Sequence, residues 1–270
     1  MIVDSHHHFW NPRRIPQPWM TAEHAAINRT FEPNDLEPLL SDCGVACTVL
    51  VQSAADDRDT DYMFELIDGV DWVAGVVAWV RLDDVGATRI RLQELAAQPK
   101  LRGIRHLIHQ EPDPHWILRR EVEPGLAQLE EAGLVLDLPA EFPNHLEDVP
   151  ELARRHPGLE LVVDHLAKPP AAAGASELWR EQLAAAAQHR NVFAKVSGLD
   201  TGADLATVIE AALVSFGPER LLFGSDWPVC LLSGSYRDVV DRAVAVIRDV
   251  AGDGADDVLV ATARRVYGLA

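Results

Sequence analysis

The chain of 270 residues has few cysteines and no long apolar segment. Its three cysteines, Cys43, Cys47 and Cys230, are too few and odd in number for a disulfide framework, which favours a reducing compartment. The longest apolar run, residues 72–80, is far shorter than the roughly 20 residues that cross a membrane. The N-terminus shows no signal-peptide pattern. We therefore expect a cytoplasmic protein with no membrane partner.

Basic residues are also scarce. The chain has 24 Lys and Arg against 42 Asp and Glu, which gives a net charge of −18. Such a chain repels nucleic acid and anionic membrane surfaces, so both are excluded as partners. No glycine-rich phosphate-binding turn follows the early strands, which argues against a doubly wound open sheet. No Gly-x-Ser-x-Gly elbow is present, which argues against acyl transfer through a serine.

Short apolar runs alternate along the chain with longer segments of helical character. This alternation predicts a parallel sheet that is covered by helices. The apolar runs that mark the predicted strands are residues 2–3, 45–51, 72–80, 101–108, 134–138, 159–163, 192–196 and 221–223. The predicted helices are residues 34–40, 59–67, 85–97, 114–131, 145–155, 176–189, 203–215 and 236–250. About eight such units predict an α/β protein with a single (β/α)8 TIM barrel, and we assign residues 1–270 to this one domain.

Two segments do not fit the repeating unit. Residues 11–31 form an extended first βα loop that is rich in proline, and a loop of this length over a barrel mouth is typical of a lid or a pocket wall. Residues 256–267 predict an extra C-terminal helix, which we expect on the outside of the barrel.

Two histidines, His6 and His8, close the first predicted strand. Because successive side chains of a strand alternate between its faces, both imidazoles point the same way. Two imidazoles that converge at a strand end can hold one metal ion or polarise one substrate atom. The alternative is a pair of surface histidines beside a loop.

Asp226 and His165 also directly follow apolar strands. In a barrel of this kind the chemistry takes place at the C-terminal ends of the strands. Asp226 is a candidate general base for a water molecule, because nearby imidazoles would keep it ionised. Its alternative role is a turn or N-cap residue before Pro228. His165 is a candidate catalytic residue, and a buried structural histidine is its alternative.

Other strand ends carry candidate substrate contacts. Arg105 and His106 are adjacent on the fourth strand, so only one of them faces the interior. Arg105 suits an anionic or hydroxyl-rich ligand, and His106 would polarise a carbonyl group. Lys195 is expected to hold substrate oxygens. Three tryptophans offer apolar faces for a sugar ring, namely Trp10, Trp79 and Trp227.

Four motifs together resemble one known family. They are Asp-Ser-His-x-His-Phe-Trp from residue 4, Gly-Ile-Arg-His at 103–106, Asp-His-Leu-Ala-Lys-Pro at 164–169 and Phe-Gly-Ser-Asp-Trp-Pro at 223–228. This ordered set resembles the lactonase-like "amidohydrolase 2" branch of the amidohydrolase superfamily. By this resemblance, His6 and His8 match the strand-one pair, His165 the strand-six histidine and Asp226 the strand-eight aspartate.

The resemblance implies a hydrolase that opens a sugar-acid lactone such as L-fucono-1,5-lactone. It also implies that His6, His8, His165 and Asp226 are potential ligands of one divalent ion, with zinc as the first choice. Two-metal members of the superfamily have further ligands on strands four and five, where this chain offers Arg105-His106 and Asp137. Catalysis with one ion and catalysis without metal therefore both stay open.

Rival activities also stay open at this point. The same branch contains metal-dependent decarboxylases of aromatic or muconate-type acids and hydrolases of lactones from aromatic breakdown. A barrel that binds a sugar acid without turning it over is a further alternative. The expected partner is a small-molecule lactone, and the oligomeric state is open, with a homodimer as one option.

Overall fold

The computed structural model describes residues 1–170, 177–199 and 204–270 of the chain. Eight parallel strands form one sheet in chain order, and a bridge between His7 and Trp227 brings the last strand back to the first. The strands are β1 (Ile2–His7), β2 (Val45–Val51), β3 (Val73–Ala78), β4 (Leu101–Arg105), β5 (Val135–Leu138), β6 (Leu161–Val163), β7 (Val192–Val196) and β8 (Leu221–Phe223). The predicted (β/α)8 barrel is confirmed.

Helices follow the strands and cover the outside of the sheet. They are α1 (Pro33–Asp42), α2 (Asp57–Leu66), α3 (Val85–Leu95), α4 (Glu123–Ala132), α5 (Val149–Arg155), α6 (Glu177–Ala187), α7 (Leu205–Phe216), α8 (Tyr236–Ala251) and α9 (Thr262–Val266). Several begin at a side chain that accepts a backbone N–H, as Asp56, Asp84 and Ser235 do. Ser176 and Ala203, the predicted starts of two helices, lie outside the described residues.

The helix predicted for residues 114–131 is shorter than expected. Residues Trp116–Leu118 form only a 3-10 turn, and α4 begins at Glu123. Pro124 stands in the first turn of α4, where its missing N–H costs nothing. The helix ends at Gly133, whose φ of 65° is the left-handed conformation that terminates helices.

The C-terminal segment closes the bottom of the barrel, so the expectation that it packs on the outside is wrong. Tyr267 and Leu269 pack with an inner ring of strand residues, which includes Val3, Val77 and Val135. The apolar C-terminal segment covers this ring at the N-terminal end of the strands. The contact is favourable because it removes the apolar surfaces of both the ring and the segment from water.

The extended first loop lies at the opposite end of the barrel, as the sequence predicts. It contains a 3-10 helix, Ala22–Ile27, and closes with an antiparallel bridge between Trp10 and Phe31. The ring of Phe31 also packs edge-on against Trp227, with 5.1 Å between ring centroids. The described part of the chain has no helix that is long and apolar enough to span a bilayer.

Candidate active site

Two histidines and one carboxylate converge where β1 and β8 end. The Nε2 atoms of His6 and His8 are 3.2 Å apart. Asp226 Oδ1 lies 3.7 Å from Nε2 of His6 and 3.5 Å from Nε2 of His8. The strand spacing therefore places both imidazoles on one face, next to the Asp226 carboxylate at the end of β8.

The hydrogen bond of His8 determines its tautomer. Its Nδ1 donates to the carbonyl oxygen of Val51 at 2.7 Å, because a carbonyl only accepts. Nε2 then carries the lone pair and points towards Asp226 and His6. This arrangement, with the second ring nitrogen held by a backbone carbonyl, is the usual support of a metal-binding histidine.

His165 and Asp226 both have left-handed backbone conformations. Four residues in succession, from His165 to Lys168, have φ between 49° and 57°, and Asp226 has φ of 59°. Such values are costly for residues other than glycine, and they persist where the surroundings hold them. Here Asp226 N donates to His6 O at 2.8 Å, and Trp179 Nε1 donates to Leu166 O at 2.9 Å. These backbone conformations direct the side chains of His165 and Asp226 into the same space.

Gly198 leaves room for these two side chains. A Cβ atom at this position would stand 2.7 Å from His165 Nδ1 and 3.0 Å from Asp226 Oδ2, both closer than normal contact. Its φ of 57° also favours glycine. The neighbouring Ser197 Oγ lies 2.9 Å from His165 Nδ1 and fixes that ring, so Nε2 of His165 is the atom left for chemistry.

The surroundings lower the pKa of the Asp226 carboxyl and of two of the imidazoles around it. Burial alone would raise the pKa of the Asp226 carboxyl, but His165, His8 and His6 around it lower this pKa below its ordinary value. Burial lowers the pKa of His165, and burial together with the Lys195 charge lowers the pKa of His6 well below its ordinary value. A carboxylate that stays ionised beside imidazole nitrogens can bind a cation or accept a proton.

Arg105, and not His106, faces the interior. The Arg105 side chain lines the cavity, its Nε donates to Asp164 Oδ2 at 2.8 Å, and its Nη1 donates to Gln52 O at 3.1 Å. His106 points away from the barrel axis and stacks on Trp116 with 4.0 Å between ring centroids. The expectation that His106 polarises a substrate carbonyl does not fit this placement, because alternation along β4 can bring only one of the two inward.

A buried ionic cluster lies beneath the histidines. Lys195, on β7, is fully buried and pairs with both Asp137 on β5 and Asp164 after β6. Its Nζ also lies 3.0 Å from Nδ1 of His6. Lys195 is therefore not among the described residues that line the cavity, and the expectation that it holds substrate oxygens does not fit its position.

The three tryptophans expected at the substrate are packing residues. Trp10 and Trp227 are fully buried and contact Phe31, while Trp79 lies beside the ring of His106. None of the three is among the described residues that line the cavity. The aromatic residue that does line it is Trp19, from the extended first loop, which the sequence analysis did not single out. The sequence analysis predicted that loop as a pocket wall, and this prediction was the signal that could have pointed to Trp19.

A cavity of about 500 Å³ opens above the histidines. Its volume is within the usual range for small-molecule sites. His109 lines it, and burial followed by the Arg105 and Lys168 charges lowers its pKa to about 4. His24 also lines the cavity from the first loop. The polar residues of the wall include His8, Arg105, His109, His165, Lys168 and Asp226.

The donor set fits one divalent metal ion. His6, His165 and Asp226 offer ligand atoms that all lie within 4.8 Å of one another, and all three residues are buried. His8 Nε2 adds a fourth donor next to them. Three imidazole nitrogens and one carboxylate oxygen are a set that zinc accepts. The other ring nitrogen of His6, Nδ1, lies 3.0 Å from Lys195 Nζ and 3.3 Å from Asp164 Oδ1, so Nε2 is the atom that faces Asp226 and the other donors.

The barrel and this site define a hydrolase of the amidohydrolase class. The chain belongs to the amidohydrolase family, whose model matches residues 3–269. It is 40% identical over 243 residues to an L-fucono-1,5-lactonase of Burkholderia ambifaria, covering 87% of this chain and 83% of that relative. It is 35% identical to an L-fucono-1,5-lactonase of Burkholderia multivorans, with coverage of 88% and 85%. A crystal structure of a Burkholderia multivorans amidohydrolase with bound zinc superposes with a TM-score of 0.90 at 33% identity, over 100% of both chains.

Proposed function

We propose that this chain is a lactonase that opens a sugar-acid lactone, with L-fucono-1,5-lactone as the first substrate to test. The observation that carries the proposal is the ionised Asp226 carboxylate in the cavity wall, 3.5 Å from His8 Nε2 and beside His165, whose pKa burial lowers. The relatives that are named as L-fucono-1,5-lactonases support the choice of substrate.

In the proposed reaction Asp226 is the general base. Its carboxylate takes a proton from a water molecule while the water oxygen forms a bond to the lactone carbonyl carbon. The carbonyl electron pair moves to oxygen and gives a tetrahedral oxyanion. When this intermediate collapses, the bond to the ring oxygen breaks, and protonated Asp226 returns the proton to that oxygen. The product is a hydroxy acid, which ionises and releases one proton.

The oxyanion needs positive partial charge where it develops. Where no metal ion is bound, we assign this role to His165, whose Nδ1 is held by Ser197 Oγ at 2.9 Å, and such a donor is worth about 3–4 kcal/mol. A divalent ion held by His6, His8, His165 and Asp226 would take over this role from the His165 donor, because it would polarise the carbonyl and lower the pKa of the attacking water. Zinc is the ion that we propose, because it accepts this mixture of nitrogen and oxygen ligands.

The walls of the cavity suit a deoxy sugar. Arg105 presents a guanidinium group on one side and can donate to substrate hydroxyl or carboxylate oxygens. Apolar side chains, Leu107, Val229 and Leu232, together with Trp19, line other parts of the wall. A lactone with several hydroxyl groups and one methyl group would satisfy both kinds of surface, because the methyl group leaves water without losing a hydrogen bond.

The test is proton release by the purified enzyme, followed with a pH indicator near neutral pH. The panel pairs each 6-deoxy lactone with the analogue that has a hydroxyl at C6, with and without a chelator. We expect rapid acidification with L-fucono-1,5-lactone and a preference of about 10- to 100-fold over its hydroxylated analogue. No acidification with any lactone would contradict the proposal. The rival decarboxylase would consume a proton instead, and the lactonase relatives do not favour it.

A further inference from the structure

Lys195 is the most deeply buried cation of the site region. Its side chain has no exposed surface, and its ammonium group pairs with Asp137 and lies 3.1 Å from Asp164 Oδ1. The third neighbour of Nζ is His6 Nδ1, at 3.0 Å. The proposed reaction uses none of these contacts directly, and a charge without exposure is retained only where partners surround it.

The three neighbours of this ammonium group are themselves a metal-type cluster. His6, Asp137 and Asp164 offer ligand atoms within 4.8 Å of one another, as do His6, His165 and Asp226. We call these the lower cluster and the upper cluster. They share His6, whose Nε2 faces the upper cluster and whose Nδ1 faces the lower one. The cavity reaches the upper cluster, and Lys195 Nζ sits within the lower one.

The remaining oxygens of the lower cluster already have partners. Tyr267 donates its hydroxyl to Asp137 Oδ1 at 2.8 Å, and Arg105 Nε donates to Asp164 Oδ2 at 2.8 Å. The oxygens that face inward, Asp137 Oδ2 and Asp164 Oδ1, are the two that contact Lys195. The carboxylates of Asp137 and Asp164 are thus balanced by one ammonium and one guanidinium group, and a divalent ion in the same space would leave a buried excess of positive charge.

We propose that Lys195 is a built-in cation that occupies the lower cluster in place of a metal ion, so that any divalent ion is confined to the upper cluster. Lys195 is a positioning residue in this scheme, because it acts through His6 and Asp164 and does not touch the substrate. The upper ion itself rests on the proposed function, whereas the occupation of the lower cluster by Lys195 does not.

The test compares the metal content of wild type and Lys195→Ala. Both proteins are stripped with a chelator, titrated with Zn²⁺ by calorimetry, and analysed for bound zinc after gel filtration. We expect Lys195→Ala to bind one more equivalent of zinc per chain than wild type, because the variant opens the space and frees two carboxylates. The matched control, Lys195→Ala with Asp137→Asn, should lose this extra equivalent, since the amide is a poor ligand without charge.

The comparison separates the two proposals. If wild type binds no zinc after titration, this result would count against the metal in the proposed function. One bound equivalent of zinc in Lys195→Ala would still support the role of Lys195. A folded Lys195→Ala variant that binds no more zinc than wild type would overturn the inference. If that variant does not fold, Asp137→Asn in wild type gives the answer: unchanged zinc content supports the inference, and the loss of one equivalent contradicts it.

Discussion

The hydroxyl of Tyr267 donates to Asp137 Oδ1 at 2.8 Å, so the end of the chain is joined to β5 inside the barrel. Tyr267 is fully buried and also lies near the Lys195 ammonium group, which is 5.6 Å from the centre of its ring. The C-terminal segment, which covers the N-terminal end of the barrel, therefore also supplies one of the hydrogen bonds that hold the ionic cluster beneath the active site.

Removing this hydroxyl should weaken the fold. We expect Tyr267→Phe to lower the free energy of unfolding by roughly 2 kcal/mol, because a buried charged acceptor loses its donor and no water replaces it. Urea unfolding at neutral pH measures the change. The control is Tyr62→Phe, whose hydroxyl donates to the partly buried Glu32 at 2.6 Å and whose loss should cost less. Equal losses in the two variants would argue against the special role of the buried bond.

Asp226→Asn tests the general base. The amide cannot accept the proton of the attacking water, so kcat should fall on the order of 10³-fold while the fold stays intact. Kinetics on the substrate of the proposed function measure the loss, and near-UV circular dichroism checks the packing. A variant that keeps most of its activity would exclude Asp226 as the base.

Gly198→Ala tests the space between His165 and Asp226. The added Cβ would crowd His165 Nδ1 at 2.7 Å, so the ring must move and kcat should drop about 10- to 100-fold. The matched control is Gly44→Ala, where φ is also positive, at 69°, but where nothing lies within 4 Å of the new atom. This control carries the same backbone strain, so it should lose stability and keep its kcat. If both variants kept full kcat, the close approach would have no catalytic role.

The placement of His106 predicts a mild substitution. His106→Phe keeps a flat ring against Trp116 and loses the hydrogen bond of 2.8 Å to Glu111, which lies outside the cavity, so kcat should change less than about threefold. Arg105→Met, at the neighbouring position that faces the cavity, should lower kcat/KM by about 100-fold, since it removes a charged donor. Steady-state kinetics on both variants decide the matter. A large loss of kcat in His106→Phe would indicate that His106 does act in the active site.

His109 makes the fold sensitive to acid. Burial and the Arg105 and Lys168 charges lower its pKa from 6.5 to about 4 in the folded state, so the unfolded chain binds more protons between these values. The stability from this group is complete above pH 6.5 and is lost as the pH falls towards 4. Between pH 7.5 and pH 5 this loss is about 2 kcal/mol.

The measurement is urea unfolding of wild type and His109→Gln at these two pH values. The variant should lose about 2 kcal/mol less stability on acidification than wild type does. His115→Gln is the control with the opposite sign, because the hydrogen bond and charge of Asp148 raise the pKa of His115. Its removal should not reduce the acid sensitivity. Identical pH dependence in wild type and His109→Gln would contradict the assignment.

Several features of the site followed from local patterns alone. The spacing of His6 and His8 predicts a shared face as soon as the segment is extended, and their Nε2 atoms are indeed 3.2 Å apart. Asp226 and His165 could be found because polar residues that interrupt apolar strands at their ends meet at one end of a parallel barrel. Their left-handed backbones could not be foreseen, since nothing in the residue types requires φ near 55°.

Other predictions failed because local patterns do not determine long-range contacts. His106 and Arg105 are both polar, and the choice between them depends on the register of β4 against its neighbours. Lys195 has the residue type of a substrate contact, but its ammonium group pairs with the carboxylate of Asp137, which lies 58 residues earlier in the chain. Trp10 and Trp227 have the right type for a sugar platform, but each is surrounded by other aromatic side chains of the first loop.

The sequence by itself determined the architecture and the centre of the site. Alternating apolar and amphipathic segments predict a parallel sheet, and about eight such units predict a barrel whose strand ends carry the groups that meet there, because these effects depend on neighbours in the chain. Only the tertiary structure decided which side chains reach the cavity and which balance one another beneath it. That choice depends on the burial of charge: Lys195 is held inside by two carboxylates from other strands, while Asp226 stays ionised beside His6 and His165, whose pKa values burial lowers.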